Sequence, residues 1–328
     1  MAPSEGAPQP DVPRYAPASS METPRFSGIR TFARLPHVRD LRGVDVAILG
    51  IPFDTAVTYR VGARFGPGAV REMSVMTRTY NPSLDVGVYD HLSVVDYGDL
   101  PVVPGYIEDS YERITAGMAT VLAAGVTPIA IGGDHSITLA ELRAFARVYG
   151  PIGFLQIDAH ADTWDEYFGR KYHHGTPFRR AVEEGLIDTD RAIQVGMRGS
   201  LYGPEDLEQP RRLGFAVRTT DDVRRDGIPA TIDAIRRRVG DGPLFLTFDI
   251  DSLDPSFAPG TGTPEIGGFS SREAQELLRG LVGLNIVGMD LVEVLPAYDP
   301  AGITALIGAN LIFEVLSVLA INRRDRSR

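Results

Sequence analysis

The sequence predicts an α/β protein built on a mainly parallel sheet that is covered on both faces. Apolar runs of strand length alternate with helical patterns about eight times. Several of these runs, such as Val44–Ile51 and Leu244–Phe248, are apolar on both alternating faces, as strands buried on both sides are. No linker interrupts residues 25–328, so they read as one domain. A (β/α)8 barrel has the same rhythm at a length of 328 residues.

Residues 1–24 are rich in Pro, Ala and Ser without periodicity, and predict a flexible arm or one draped over a neighbour. Residues 25–36 are more apolar and are expected to pack on the body. Val44–Ile51 is the first strand. The Gly-rich, basic stretch Tyr59–Arg71 runs into a helix with Pro67 near its start. It lacks both Gly-Lys-Ser/Thr and G-x-G-x-x-G, so a rigid loop lining a pocket or subunit contact is preferred to a phosphate cradle. Ser93–Tyr97 is a short strand. Ile107–Ala124 is an amphipathic helix, with Tyr111, Ile114, Met118 and Val121 on its apolar face and Gly125 as C-cap.

A strand at Pro128–Ile131, a helix at Ile137–Tyr149 and a strand at Ile152–Ile157 follow. The segment from there to His174 is long, aromatic and charged. It holds the single Trp, Trp164, and suits a lid or specificity loop. Further helices are expected at 177–184, 204–212, 229–239, 270–281 (Ser270 as N-cap) and 303–321. Further strands are expected at 192–196, near Phe215, at 244–248 and at 285–291. The run Pro255–Gly268 is too rich in Pro and Gly for regular structure.

Lys plus Arg number 33 and Asp plus Glu 43, a net charge of −10. That balance disfavours nucleic acid and suits a cationic substrate. The absence of Cys excludes disulfides, thiol catalysis and Cys-based zinc sites. No transmembrane-length apolar run or signal pattern is read, so a cytoplasmic protein with no membrane partner is expected.

The chemistry gathers at strand ends. Asp158, His160 and Asp162 follow one apolar run, and in an extended chain alternate residues share a face. Asp249 and Asp251 end a second run, and Gly132-Gly133-Asp134-His135 ends a third. Taken singly, such an Asp is more often a turn or capping residue and such a His an ordinary hydrogen-bonding one. Three ligand-bearing strand ends together favour metal. Asp158, Asp162, Asp249 and Asp251 carry a charge that balances two divalent ions. Carboxylate oxygen with some imidazole suits a fairly hard ion such as Mn²⁺. A metal pair lowers the pKa of a shared water for attack on carbon or phosphorus, which leaves phosphoesterases, amidohydrolases and guanidine hydrolases open.

Gly132–Ser136, Asp158–Asp162 and Asp249–Pro255, extended by Ala258–Pro264, closely resemble the signatures of the arginase/agmatinase ureohydrolase family. Arg64–Pro67 and Met289–Val294 also match family blocks, in family order, and the likeness covers roughly residues 25–320. The resemblance implies an arginase-like three-layer α/β/α sandwich around a central, mainly parallel sheet of about eight strands. It also implies two Mn²⁺ per subunit. One would take His135, Asp158, Asp162 and Asp249, and the other His160, Asp158, Asp249 and Asp251, with Asp158 and Asp249 bridging. His174 is implied as proton shuttle, Glu293 as the carboxylate that holds the guanidinium, Asp162 as proton relay to the leaving amine, and Thr263 as a substrate contact. Every ligand position is filled, which argues against a non-catalytic metal-binding scaffold. A homo-oligomer, trimer or hexamer, is implied as well.

The implied substrate is a small cationic guanidino compound. Residues 285–304 look most like agmatinases, which give putrescine and urea. Residues 25–36 and 172–180 also resemble guanidinobutyrases and proclavaminate amidinohydrolases, so a guanidino-acid amidinohydrolase is the alternative. Arginase itself is disfavoured by the acidic, aromatic run Thr163–Tyr167. Asp165 and Glu166 in that run would favour a distal ammonium, unless both face solvent.

Overall fold

The computed structural model describes residues 12–326. Residues 1–11 of the expected arm lie outside the described residues. The remainder of the arm runs along the body: the Tyr15 amide donates to Ser93 Oγ at 2.9 Å and the Val94 amide to the Tyr15 carbonyl at 3.1 Å.

Among the described residues the core is one eight-stranded, fully parallel sheet. Its strands are β1 (Val46–Ile51), β2 (Val94–Asp99), β3 (Thr127–Gly132), β4 (Ile152–Ile157), β5 (Ile187–Met197), β6 (Ala216–Thr219), β7 (Leu244–Asp249) and β8 (Ile286–Val292). They lie in the order β2-β1-β3-β8-β7-β4-β5-β6. The open sheet excludes the barrel alternative. Alternate residues of a strand feed separate cores: Ile48, Ile129 and Leu246 belong to one, Leu49, Ala130 and Phe245 to the other. Helices α2 (Ile107–Ala123), α3 (Ile137–Tyr149) and α4 (Pro177–Glu183) cover one face. Helices α1 (Gly66–Ser74), α6 (Thr220–Val239), α7 (Ser271–Arg279) and α8 (Ile303–Arg326) cover the other, and α5 (Glu205–Arg212) packs beside β6.

The predicted elements form close to their predicted places, with four differences. Helix α6 begins at Thr220, because Thr219 and Asp222 make a reciprocal capping box; Gly227, at φ 85°, breaks it ahead of Pro229. Strand β5 starts earlier, at Ile187, where its polar residues face the rim. A small antiparallel hairpin, Tyr80–Asn81 with Val86–Gly87, was not apparent from so short a pattern. Helix α8 is long and apolar enough to pass for a membrane span, contrary to the sequence reading, yet most of that apolar stretch is buried against α1 and α7. The capping box expected at Ser270 forms, with Glu273.

Both sheet edges are guarded. The outer edge of β2 is bridged by residues 36–38, with the Asp96 amide on the Pro36 carbonyl and the Val38 amide on the Asp96 carbonyl, each 3.1 Å. The other edge, β6, is only four residues long.

Candidate metal centre

The C-terminal ends of β3, β8, β7 and β4 are neighbours, and every expected metal ligand hangs from them. Asp249 is the last residue of β7, and Asp158 follows β4 beside it. The convergence does not come from strand alternation, as the sequence suggested. Strand β4 ends at Ile157, and the chain then curls: the His160 amide donates to Asp158 Oδ1 at 2.7 Å, and Asp162 has a left-handed backbone at φ 50°. Asp251 arrives through a single 3-10 turn, Ile250–Ser252, whose amide at Asp251 bonds Asp249 Oδ1 at 2.8 Å. Tight carboxylate-capped turns bring successive ligands round to one point.

His135 Nδ1 lies 3.1 Å from Asp158 Oδ2, 3.0 Å from Asp162 Oδ2 and 3.2 Å from Asp249 Oδ2. His160 Nδ1 lies 3.0 Å from Asp251 Oδ2 and 3.7 Å from Asp158 Oδ1. The two donor groups therefore meet at Asp158, which gives one oxygen to each. Asp249 Oδ1, the oxygen that would reach the second group, also accepts the Asp251 amide, just as both Asp158 oxygens accept hydrogen bonds.

The donor set fits a pair of divalent cations. His135 Nδ1 and Asp251 Oδ2 are buried without any hydrogen-bond partner, which is the condition of ligand atoms aimed at an ion. The acids repel one another: burial, then Asp251 and Asp158, push Asp249 well above the usual carboxyl range. Burial and Asp158 push Asp162 up to about 6. Nearby positive charge would remove that penalty.

A buried polar row lies beneath the ligands. Asp290 of β8, Thr247 of β7, Gln156 of β4 and Gln194 of β5 stand opposite one another in register, and none is exposed. Thr247 Oγ1 is 2.7 Å from His135 Nε2. With Nε2 paired to that hydroxyl, Nδ1 is the His135 nitrogen that faces the carboxylates. Gln156 Nε2 donates to Asp158 Oδ2 at 2.7 Å and to the His160 carbonyl at 3.0 Å. Gln194 Nε2 donates to Gln156 Oε1 at 2.6 Å and to the Ala161 carbonyl at 2.8 Å. Sequence reasoning passed over these residues. Their signal was a polar residue inside an otherwise apolar strand, two positions before the ligand in β4 and β7.

Glu293 follows β8 in a left-handed conformation, φ 63°, that turns its side chain inward. Its Oε1 accepts the His135 amide at 3.0 Å and His174 Nδ1–H at 3.1 Å. Its Oε2 is buried and has no partner. A Cβ added to Gly262 would come within 3.3 Å of that oxygen, so glycine there keeps its approach open. His174 Nε2 receives the Thr58 amide at 3.2 Å. Since that amide can only donate, the ring carries its proton on Nδ1. Burial opposes the imidazolium, but Glu293 outweighs it and holds the His174 pKa above its ordinary value. Thr58 was not anticipated; its loop is clamped by Asp54, which accepts the Gly62 and Arg64 amides at 2.8 and 3.2 Å.

A cavity of about 350 Å³ opens over this cluster, lined by His160, Asp162, His174, Asp249, Asp251 and Thr263. Trp164, Tyr167 and Tyr202 form an aromatic wall, with Trp164 and Tyr167 stacked at 5.0 Å. Asp165 is not part of it, contrary to expectation. It is 56% exposed and bonds the buried Arg180 guanidinium at 2.6 Å, which turns it away. Glu166 is likewise exposed and outside the lining. The charged residues that do reach the cavity beyond the ligands are Asp206, Glu265 and Arg198. Arg198 is spent on backbone, donating to the carbonyls of Asp251 (2.6 Å), Glu265 (2.8 Å) and Ser252 (3.1 Å).

Comparison with known proteins agrees with this geometry. The family model described as Arginase family matches residues 44–317. The chain is 48% identical to a guanidinopropionase of Pseudomonas aeruginosa over 93% of its own length and 96% of that protein's. It is 46% identical to a mitochondrial agmatinase of Gallus gallus, over 92% and 89% of the two chains. The solved structure of proclavaminate amidino hydrolase from Streptomyces clavuligerus superposes with a TM-score of 0.88 at 41% identity, covering 92% of this chain and all of that one.

Proposed function

The chain belongs to the arginase family, and we propose that this guanidino hydrolase cleaves agmatine to putrescine and urea. The observation that carries the choice of substrate is the charge of the cavity. Asp206 and Glu265 face it, the Glu265 carboxylate has no hydrogen-bond donor among the described residues, and the one cation, Arg198, is consumed by carbonyls. A distal ammonium finds a carboxylate and an aromatic wall there, and a distal carboxylate finds no free partner.

Asp158, Asp162, Asp249 and His135 would hold one ion, and Asp158, Asp251 and His160 the other. Oxygen donors with two imidazoles suit Mn²⁺. When bound, such a pair supplies Lewis acidity and an activated water. The remaining work falls to the chain. Glu293 Oε2 accepts guanidinium N–H and fixes the plane of the group, while its Oε1 is already committed to His135 and His174. Asp162 lines the cavity and offers a carboxylate oxygen to carry a proton to the leaving amine. His174, on the cavity wall with its proton on Nδ1, exchanges protons between the site and solvent. The Trp164–Tyr167 wall keeps bulk water off the reacting carbon.

A guanidino acid is the second reading, favoured by the identity with the guanidinopropionase. Urea release from the Mn²⁺-loaded protein separates the two. Agmatine is expected to exceed 4-guanidinobutyrate and 3-guanidinopropionate by about tenfold or more in kcat/KM, the worth of one polar contact. A preference for either acid replaces agmatine as the substrate and leaves the hydrolase assignment standing.

A further inference from the structure

Asp206 stands at the start of α5 and lines the cavity, yet both of its carboxyl oxygens are engaged by the protein. Oδ1 accepts Trp164 Nε1–H at 3.0 Å, and Oδ2 accepts the Tyr202 amide at 2.8 Å. The two donors belong to separate segments: Trp164 to the stretch between β4 and α4, Tyr202 to the stretch between β5 and α5. One carboxylate therefore joins them, and α5, packed beside β6, carries the joint.

The indole is placed from its other side as well. A Cβ added to Gly175 would lie 2.9 Å from Trp164 Cε3, so the ring rests directly on the backbone next to His174. Tyr167 stacks on the indole at 5.0 Å and Tyr202 leans against it at 5.8 Å, while the two tyrosine hydroxyls meet at 3.0 Å. Ring contacts tolerate a range of offsets and tilts, whereas a hydrogen bond to a carboxylate fixes its donor in one place. The bond to Asp206 is thus what gives the wall a single position.

We propose that Asp206 is a positioning residue for the guanidine reaction: it fastens Trp164 to the Tyr202 segment and so holds the aromatic wall closed over the cavity. This rests on the cavity being the guanidine site. Without that fastening the indole can swing from the cavity and admit water beside the reacting group.

Trp164 is the only Trp in the chain, so tryptophan fluorescence reports on this ring alone. In the full-length, Mn²⁺-loaded protein, two variants remove the fastening: Asp206→Ala, and the isosteric Asp206→Asn, which turns one acceptor into a donor. Both should red-shift the emission and raise its quenching by acrylamide, while keeping a cooperative thermal unfolding transition. Urea release is then followed in a double-mutant cycle with Trp164→Phe, which keeps a ring but has no N–H. Asp206→Ala should lower kcat/KM for agmatine about tenfold, the worth of one hydrogen bond to a charged group, and less than about threefold where Phe replaces Trp164. Emission and quenching unchanged in both variants overturn the proposal. So does an equal loss of activity in both backgrounds, for Asp206 would then act through its charge alone. The fluorescence arm needs no substrate, so failure of agmatine as substrate is seen separately, and the cycle is then run on whichever guanidine the protein cleaves.

Discussion

At the scale of single residues, two acids have separable roles. Glu293→Gln keeps the shape of the side chain but removes the charge proposed to hold the guanidinium. Breaking a buried charged contact of this kind costs about 3 kcal/mol, so kcat/KM should fall by about two decades, which steady-state urea release measures. Asp254 acts on the loop instead. Its carboxylate gathers the amides of Ser256 (2.9 Å), Gly267 (2.7 Å) and Gly268 (3.3 Å) and the Ser256 hydroxyl (2.6 Å), so it staples residues 254–268, the segment that carries Thr263 and Glu265. The Ser256 hydroxyl, together with the backbone amides, holds its pKa down to about 2 despite partial burial. A depressed folded-state value means the stabilisation is present above the unfolded carboxyl's pKa, about 3.9, and lost as pH falls toward 2. The difference in unfolding free energy between wild type and Asp254→Asn should therefore be constant above about pH 5 and shrink below it. Denaturant titrations across that range check the sign. The cluster of candidate ligands was legible because six identifiable residues recur at three strand ends. Asp165 was misread because sequence places a charge in a loop but not on a side of it; Arg180, fifteen residues on, decides that.

At the scale of elements, periodicity and caps located the strands and helices wherever apolar runs were long. They failed where a boundary depends on a local exchange of hydrogen bonds, as at Thr219, or on tertiary cover, as in α8. Helix α6 is two pieces joined at Gly227, whose φ of 85° suits glycine. Gly227→Ala should lower stability by ~1–2 kcal/mol through that backbone alone, since a Cβ there meets nothing nearer than 3.7 Å. Thermal unfolding reads this out, with urea-release activity unchanged because α6 lies away from the cavity.

At the scale of the whole molecule, the centre joins the two halves of the sheet: His135 follows β3, and Asp158, Asp249 and Asp251 come from β4 and β7. Four acids held together without cations strain that union. Chelation should therefore lower the melting temperature as well as abolish urea release, and returning Mn²⁺ should restore both. Calorimetry with and without chelator is the check, and an unchanged melting temperature would show that the acids are tolerated without ions. The α/β class was readable from rhythm alone. The strand order was not, because rhythm is the same for a barrel and an open sheet; what separates them is which strand ends meet, and the ligand-bearing motifs carried that information.

The position of β8 has a consequence for how the protein is made. Strands β3 and β7 do not touch; the gap between them is filled by β8, residues 286–292, and then roofed by α8, which ends at Arg326. A ribosome delivers the chain from its N-terminus, so the middle of the sheet is the last part to arrive. Until then His135 on one side and Asp249 on the other belong to two unjoined half-sheets, and Glu293 has yet to be synthesised or released. A nascent chain halted before residue 286 should retain no Mn²⁺, whereas one extended past Arg326 by a flexible tether should. On this reading the candidate ligands can come together only after residues 286–326 have been made.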